Sequence, residues 1–202
     1  MYIWFLICVV GAIATIGVHF LSVEHLKLQK RYSVEKGKKI GDVLGIISGW
    51  GFFLFWMGIW GSPQPRFSIL VLSHVSISVP FVDFSIPLLH LIVSLALLIP
   101  GSWIAIKGVK EITLKVAETH RTQKIVTGGV YSMVRHPQYL GGLLAHIGIS
   151  FLLSALYSLL STPLMLALIY LISRKEEKEL IREFSREYED YKKKVLMLIP
   201  KR

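Results

Sequence analysis

The chain has 202 residues, of which 53% are hydrophobic, a mean hydropathy of +0.57 and a formal net charge of +10. Its apolar residues come in long blocks, which excludes an ordinary soluble domain. The single cysteine, Cys8, excludes an intrachain disulfide framework or a cysteine-based zinc site.

Four apolar blocks approach or exceed the roughly 20 helical residues needed to cross a hydrocarbon core. They are residues 2–23, 40–60, 85–108 and 137–173. The last contains no Lys, Arg, Asp or Glu and is long enough for two crossings. The expectation is an all-α integral membrane protein with five transmembrane helices and an amphipathic cytoplasmic C-terminal helix. The first block lacks a basic leader and a small-residue cleavage site, so it reads as a span and not a signal peptide.

Charge placement then assigns sides. Residues 24–39 carry six Lys or Arg, residues 107–136 carry six and residues 174–202 carry ten, whereas residues 61–84 carry only Arg66. With five spans, 22 of the 23 basic residues share one side. The positive-inside pattern places the N-terminus outside, and the C-terminus and site in the cytoplasm of a cell membrane. The basic residues are expected to meet anionic lipid head groups, so membrane lipids are the expected partners and nucleic acid is not. No protein partner is inferable.

In chain order, His19 and His25 read as interfacial residues at the end of the first span. The second span carries Gly41, Gly45 and Gly49 four apart, which favours close helix packing, and Trp56 and Trp60, which suit an aromatic belt. Residues 61–84 form an outer-side insertion, in which residues 67–82 read as a short hairpin or interfacial segment. His90 and Ser94 in the third span read as interhelical hydrogen-bonding groups. Residues 1–108 are thus an N-terminal helical unit, and residues 109–202 a second region comprising a helical hairpin (137–173) and a C-terminal helix (174–195).

Two charged edges flank the charge-free run: Arg135-His136 before it and Arg174-Lys175-Glu176-Glu177 after it. A hairpin of two short helices returns the second edge to the side of the first. Along residues 174–195, Leu180, Phe184, Tyr188, Tyr191 and Val195 recur every three or four residues, and Glu176 extends that stripe. Glu176 should therefore face the protein, and Lys178 and Glu179 the water. The chain has no phosphate-gripping Gly-x-x-x-x-Gly-Lys loop, no Rossmann unit and no His pair spaced for a zincin site. The residues alone imply a membrane enzyme or transporter with a polar pocket at the cytoplasmic face.

The run Gly129-x-Tyr131-x-x-x-Arg135-His136-Pro137-x-Tyr139-Leu140-Gly141 resembles the signature of the isoprenylcysteine carboxyl methyltransferase and phospholipid methyltransferase superfamily. Glu176-Glu177-x-x-Leu180-x-x-x-Phe184-x-x-x-Tyr188-x-x-Tyr191 is similar to that superfamily's C-terminal helix. The matching blocks cover about residues 123–200. The resemblance implies an S-adenosylmethionine-dependent methyltransferase acting on a lipid-like or membrane-dissolved small molecule, isoprenylcysteine carboxyl methyltransferase-like. The cofactor contacts it implies are Gln123, Lys124, Ile125, Val126, Tyr131, His136, Pro137, Gln138, Tyr139 and Glu176, with no metal. Arg135 and Arg174 are the candidate catalytic cations. Prenylcysteine enzymes carry a substrate-clamping arginine where this chain has Ile172, which weakens the case for a carboxylate acceptor. The alternative is an NADPH-dependent membrane reductase resembling sterol reductases, which share a similar Arg-His-Pro-x-Tyr-x-Gly motif.

Overall fold

The computed structural model describes residues 2–69, 71, 75–80, 84–119, 122 and 124–200, the side chain of Lys115 excepted. Of the described residues, 76% are helical. Its first half comprises α1 (Ile3–Ser22), α2 (His25–Tyr32), α3 (Val34–Gly61), a two-stranded hairpin of β1 (Ser76–Ser78) and β2 (Ser85–Pro87), α4 (Leu88–Ile112) and α5 (Leu114–Thr119). A 3₁₀ turn (Gly129–Ser132) leads into α6 (Pro137–Leu152), α7 (Leu156–Leu160), α8 (Thr162–Phe184) and α9 (Arg186–Lys194).

Local chemistry sets these boundaries. The Ser33 hydroxyl caps α3 by accepting from the Lys36 N–H. Pro137 occupies the first turn of α6, where its missing N–H costs nothing. Thr113 and Ser185 take left-handed backbone angles (φ 77° and 50°) and separate α4 from α5 and α8 from α9. In the insertion, β1 pairs antiparallel with β2, Ile77 opposite Ile86. Of the two strands only β1 lies within the expected segment 67–82, and residues 70, 72–74 and 81–82 of that segment lie outside the described residues.

Three helices, α1, α3 and α4, are long and apolar enough to cross a membrane. The charge-free run divides as a turn between short helices, as expected of a hairpin. It spends residues on the turn at Ser154 and on α7, leaving α6 with 16 residues, or about 24 Å. The helix boundary expected at residue 174 is absent, because α8 runs unbroken from its apolar start through both glutamates to Phe184.

The helices pack as two layers, α1 on α3 and α4 on α6. Gly141 lets α6 approach α4 closely, since a Cβ there would strike the Gly101 carbonyl and Ala105. The main apolar core joins α1, α3 and α8 through Ile16, Trp56, Ile59, Met165, Ile169 and Ile172. At the end of the bundle remote from the charged motif, Trp56 and Trp60 both donate to His146 Nδ1 at 2.8 Å. These tryptophans are therefore internal ties and not a lipid-facing belt. His90 bonds Ser154 at 3.0 Å, a tie from α4 to the turn after α6 where a bond between helices was expected.

Candidate active site

The motif is held from both sides by groups distant in sequence. Gly129 has φ 56°, and the Glu111 carboxylate packs where its side chain would be. Both Glu111 oxygens accept from the Val130 N–H, at 3.2 and 3.1 Å, and so anchor the 3₁₀ turn to the end of α4. Tyr131 and Val134 then pack against Ile104. Beyond the turn, the Arg135 and His136 N–H groups donate to the Leu196 and Met197 carbonyls at 3.0 and 3.1 Å. The Tyr191 hydroxyl donates to the Tyr131 carbonyl at 2.7 Å, docking α9 on the motif.

Two carboxylates one residue apart on α8 complete the arrangement. Glu177 is 1% exposed; it accepts from Arg135 Nε at 2.7 Å, lies 3.2 Å from His136 Nε2 and is paired with Lys192 at 3.3 Å. Burial pushes its carboxyl up, but the bonds from His136 and Arg135 outweigh that and hold it down at about 2. Glu176 faces the other nitrogen of the same imidazole, His136 Nδ1, at 3.6 Å. It also accepts from the Tyr139 hydroxyl and lies 3.2 Å from His19 Nε2. The His136 ring stacks on Tyr139 with an interplanar angle of 18°. Burial raises the hydroxyl pKa of Tyr131, Tyr188 and Tyr191, so all three remain protonated donors.

The structure brings most of the expected residues into one polar pocket. Lys124, Ile125, Val126, Tyr131, His136, Pro137, Gln138, Tyr139 and Glu176 all line it. Gln123 lies outside the described residues. Arg135 also lines the pocket, but its guanidinium is committed to Glu177 and to the Lys192 and Val195 carbonyls that end α9. It holds the site together and does not reach across it. Arg174 is corrected: it is exposed and absent from the lining. Two residues correspond to about 200° around a helix, so it points away when Glu176 points in.

Glu177, expected only as part of the charged edge and of the C-terminal motif, is the buried partner of Arg135 and His136. Three further residues, Glu179, His19 and His25, lie elsewhere than expected. Glu179, expected in water, is only 6% exposed and pairs with Lys175 at 3.3 Å and Arg182 at 2.6 Å. Lys175 bonds Glu24 at 2.7 Å, so α8 is enclosed on its α1–α2 side as well. His19 and His25, expected at a membrane interface, are buried at 5% and 4% exposure, and His25 lines the pocket.

Below the polar pocket lies a larger, almost wholly apolar cavity of about 650 Å³. It opens between the two helix layers, with Gly49 and Phe53 on α3, Ser102 and Ala105 on α4, Gly142 and Ala145 on α6, and Ile172 on α8. Gln138 and Tyr139 line both cavities, and His19 lines the apolar one.

The polar pocket fits S-adenosylmethionine by its donor set. Glu176 and Glu179 present acceptors suited to ribose hydroxyls and an ammonium, His136 and Lys124 present donors suited to a carboxylate, and Ile112, Ile125, Val126 and Leu180 offer an apolar slot. The Gln138 amide nitrogen is buried with no hydrogen-bond partner among the described residues, a donor that a ligand would satisfy. A family model described as phospholipid methyltransferase matches residues 89–187, from the start of α4 through both glutamates. No curated protein matches the chain.

Proposed function

Because the chain belongs to the phospholipid methyltransferase family, S-adenosylmethionine-dependent membrane enzymes, we propose a role for each cavity. The polar pocket holds the cofactor, and the apolar cavity holds a membrane-dissolved, lipid-like methyl acceptor. The NADPH-reductase alternative gives way to the family assignment. The observation that carries this reading is the junction itself: Tyr139 and Gln138 stand in the wall between a carboxylate-lined pocket and an apolar cavity.

When bound, the cofactor supplies an electrophilic methyl group on a sulfonium. The chain's own work is positioning and exclusion of water. Glu176 holds the cofactor's polar groups from α8, while Glu177 and Arg135 fix His136 and the end of α9 around them. Tyr139 orients Glu176, and α9 closes the pocket through Tyr191. Among the described residues the apolar cavity has no Lys or Arg in its lining, and Ile172 is part of it. An isoprenylcysteine-type carboxylate would thus lack its bidentate arginine, and a lipid acceptor without a carboxylate fits better.

In the bilayer, α1, α3 and α4 are joined by two short crossings, α6 and the apolar start of α8. The charge asymmetry supports a cytoplasmic polar pocket and an external N-terminus. Residues 109–202 supply most of the cofactor site, with Val23 and His25 added from the α1–α2 junction.

Gly49→Leu tests the two-cavity reading. Gly49 lines the cavity and a Cβ there meets nothing within 4 Å, so a larger side chain at this position starts in open space and takes up acceptor volume. Methyl transfer from S-adenosylmethionine to extracted membrane lipid is expected to fall at least about tenfold while stabilisation by S-adenosylhomocysteine persists. Unchanged transfer would place the acceptor elsewhere.

A further inference from the structure

His19 contributes to the site from α1, outside the region of family similarity, and lies where the two cavities meet. It is buried in the lining of the apolar cavity, and its Nε2 is 3.2 Å from Glu176, which lines the polar pocket. Among the described residues, the titratable groups lining the apolar cavity are His19, Tyr139 and Glu118. Tyr139 donates its hydroxyl to Glu176, and Glu118 accepts from the Trp50 indole at 3.2 Å on the α3–α5 side. Among the described residues, an acceptor entering from the bilayer meets no Lys or Arg in that lining, and the one imidazole it meets is coupled to the cofactor pocket.

We infer that His19 takes the proton from the methyl acceptor, and that the acceptor's nucleophile is one that carries a proton at neutral pH, an ammonium or a thiol. The inference rests on the two-cavity reading above. An N–H or S–H proton passes to a ring nitrogen of His19. The lone pair left on nitrogen or sulfur forms the new bond to the methyl carbon as the donor's carbon–sulfur bond breaks, and that bond pair neutralises the sulfonium. The proton then leaves through Glu176 into the polar pocket, so charge need not cross the apolar cavity. Around this pair stand Tyr139 and His136 on Glu176, Lys175 one residue away on α8, and Glu24 paired with Lys175. A carboxylate acceptor needs no such base.

The test uses three alkyl probes of equal chain length, dodecylamine, dodecanethiol and dodecanoate, with purified full-length protein. Wild type is expected to methylate the amine or the thiol. His19→Ala is expected to lose about 100-fold or more in kcat near neutral pH and to keep stabilisation by S-adenosylhomocysteine. The deficit should shrink as pH rises and the probe deprotonates in solution, a recovery that a purely structural defect would not show. In cofactor-free wild type, the His19 ring-nitrogen resonances, assigned by their absence from His19→Ala, are expected to shift with dodecylamine and not with dodecane. Equal transfer by both proteins, a pH-independent deficit, or a loss confined to Glu118→Gln overturns His19 and leaves the two-cavity reading standing. Methylation of dodecanoate alone overturns the proton argument while the methyltransferase stands. No transfer to any probe overturns the acceptor cavity and His19 together.

Discussion

Glu177 shows how much one side chain organises. Its carboxylate meets Arg135, His136 and Lys192, drawn from the motif and from α9. Replacing it with glutamine leaves Arg135 without a counter-ion in a buried place, at a cost of about 3–5 kcal/mol. Its acidity gives a second readout. The folded value is about 2 against an ordinary 4.5, so its contribution to stability is complete above pH 4.5 and is lost as pH falls towards 2. Thermal unfolding across that window should steepen in wild type and lose this component in Glu177→Gln. An identical acid dependence in the two proteins would remove Glu177 from the centre of the site.

The elements act as clamps on the motif: α4 from one side through Glu111, and α9 from the other through Tyr191 and the tail carbonyls. Gly129→Ala places a Cβ at φ 56° and against the Glu111 carboxylate, with an expected destabilisation of about 2 kcal/mol. Weaker S-adenosylhomocysteine binding should accompany the lower melting temperature; a neutral Gly129→Ala would mean the turn is not built as described. This scale also explains what the sequence disclosed. The motif and the Glu176 stripe were legible because charge density changes abruptly there and the helical period survives in α8. The inward face of α1 was not, because nearly every α1 residue is apolar and no face stands out, so His19 had no stripe to join. Glu179 was misjudged because α8 is covered on two sides, which widens its buried arc beyond one stripe. The short α6 was legible because a charge-free run of residues 137–173 is too long for one crossing and short for two.

At the scale of the whole molecule, two layers of helices leave an apolar cavity open between them, and a charged cap of motif, α8 and α9 sits over it. Three spans are long enough to cross outright, and the shorter helices complete the cap's attachment. In the proposed function the cap binds S-adenosylmethionine through Glu176. The most direct measurement is the melting temperature of detergent-solubilised wild type and Glu176→Ala with S-adenosylhomocysteine or NADPH. Saturation at about 100 times Kd stabilises by about 2.7 kcal/mol, or about 5–10 °C for a chain of this size. The predicted result is that rise in wild type with S-adenosylhomocysteine, none with NADPH, and none in Glu176→Ala despite a folded baseline. A rise with NADPH alone, or an undiminished rise in Glu176→Ala, would contradict it.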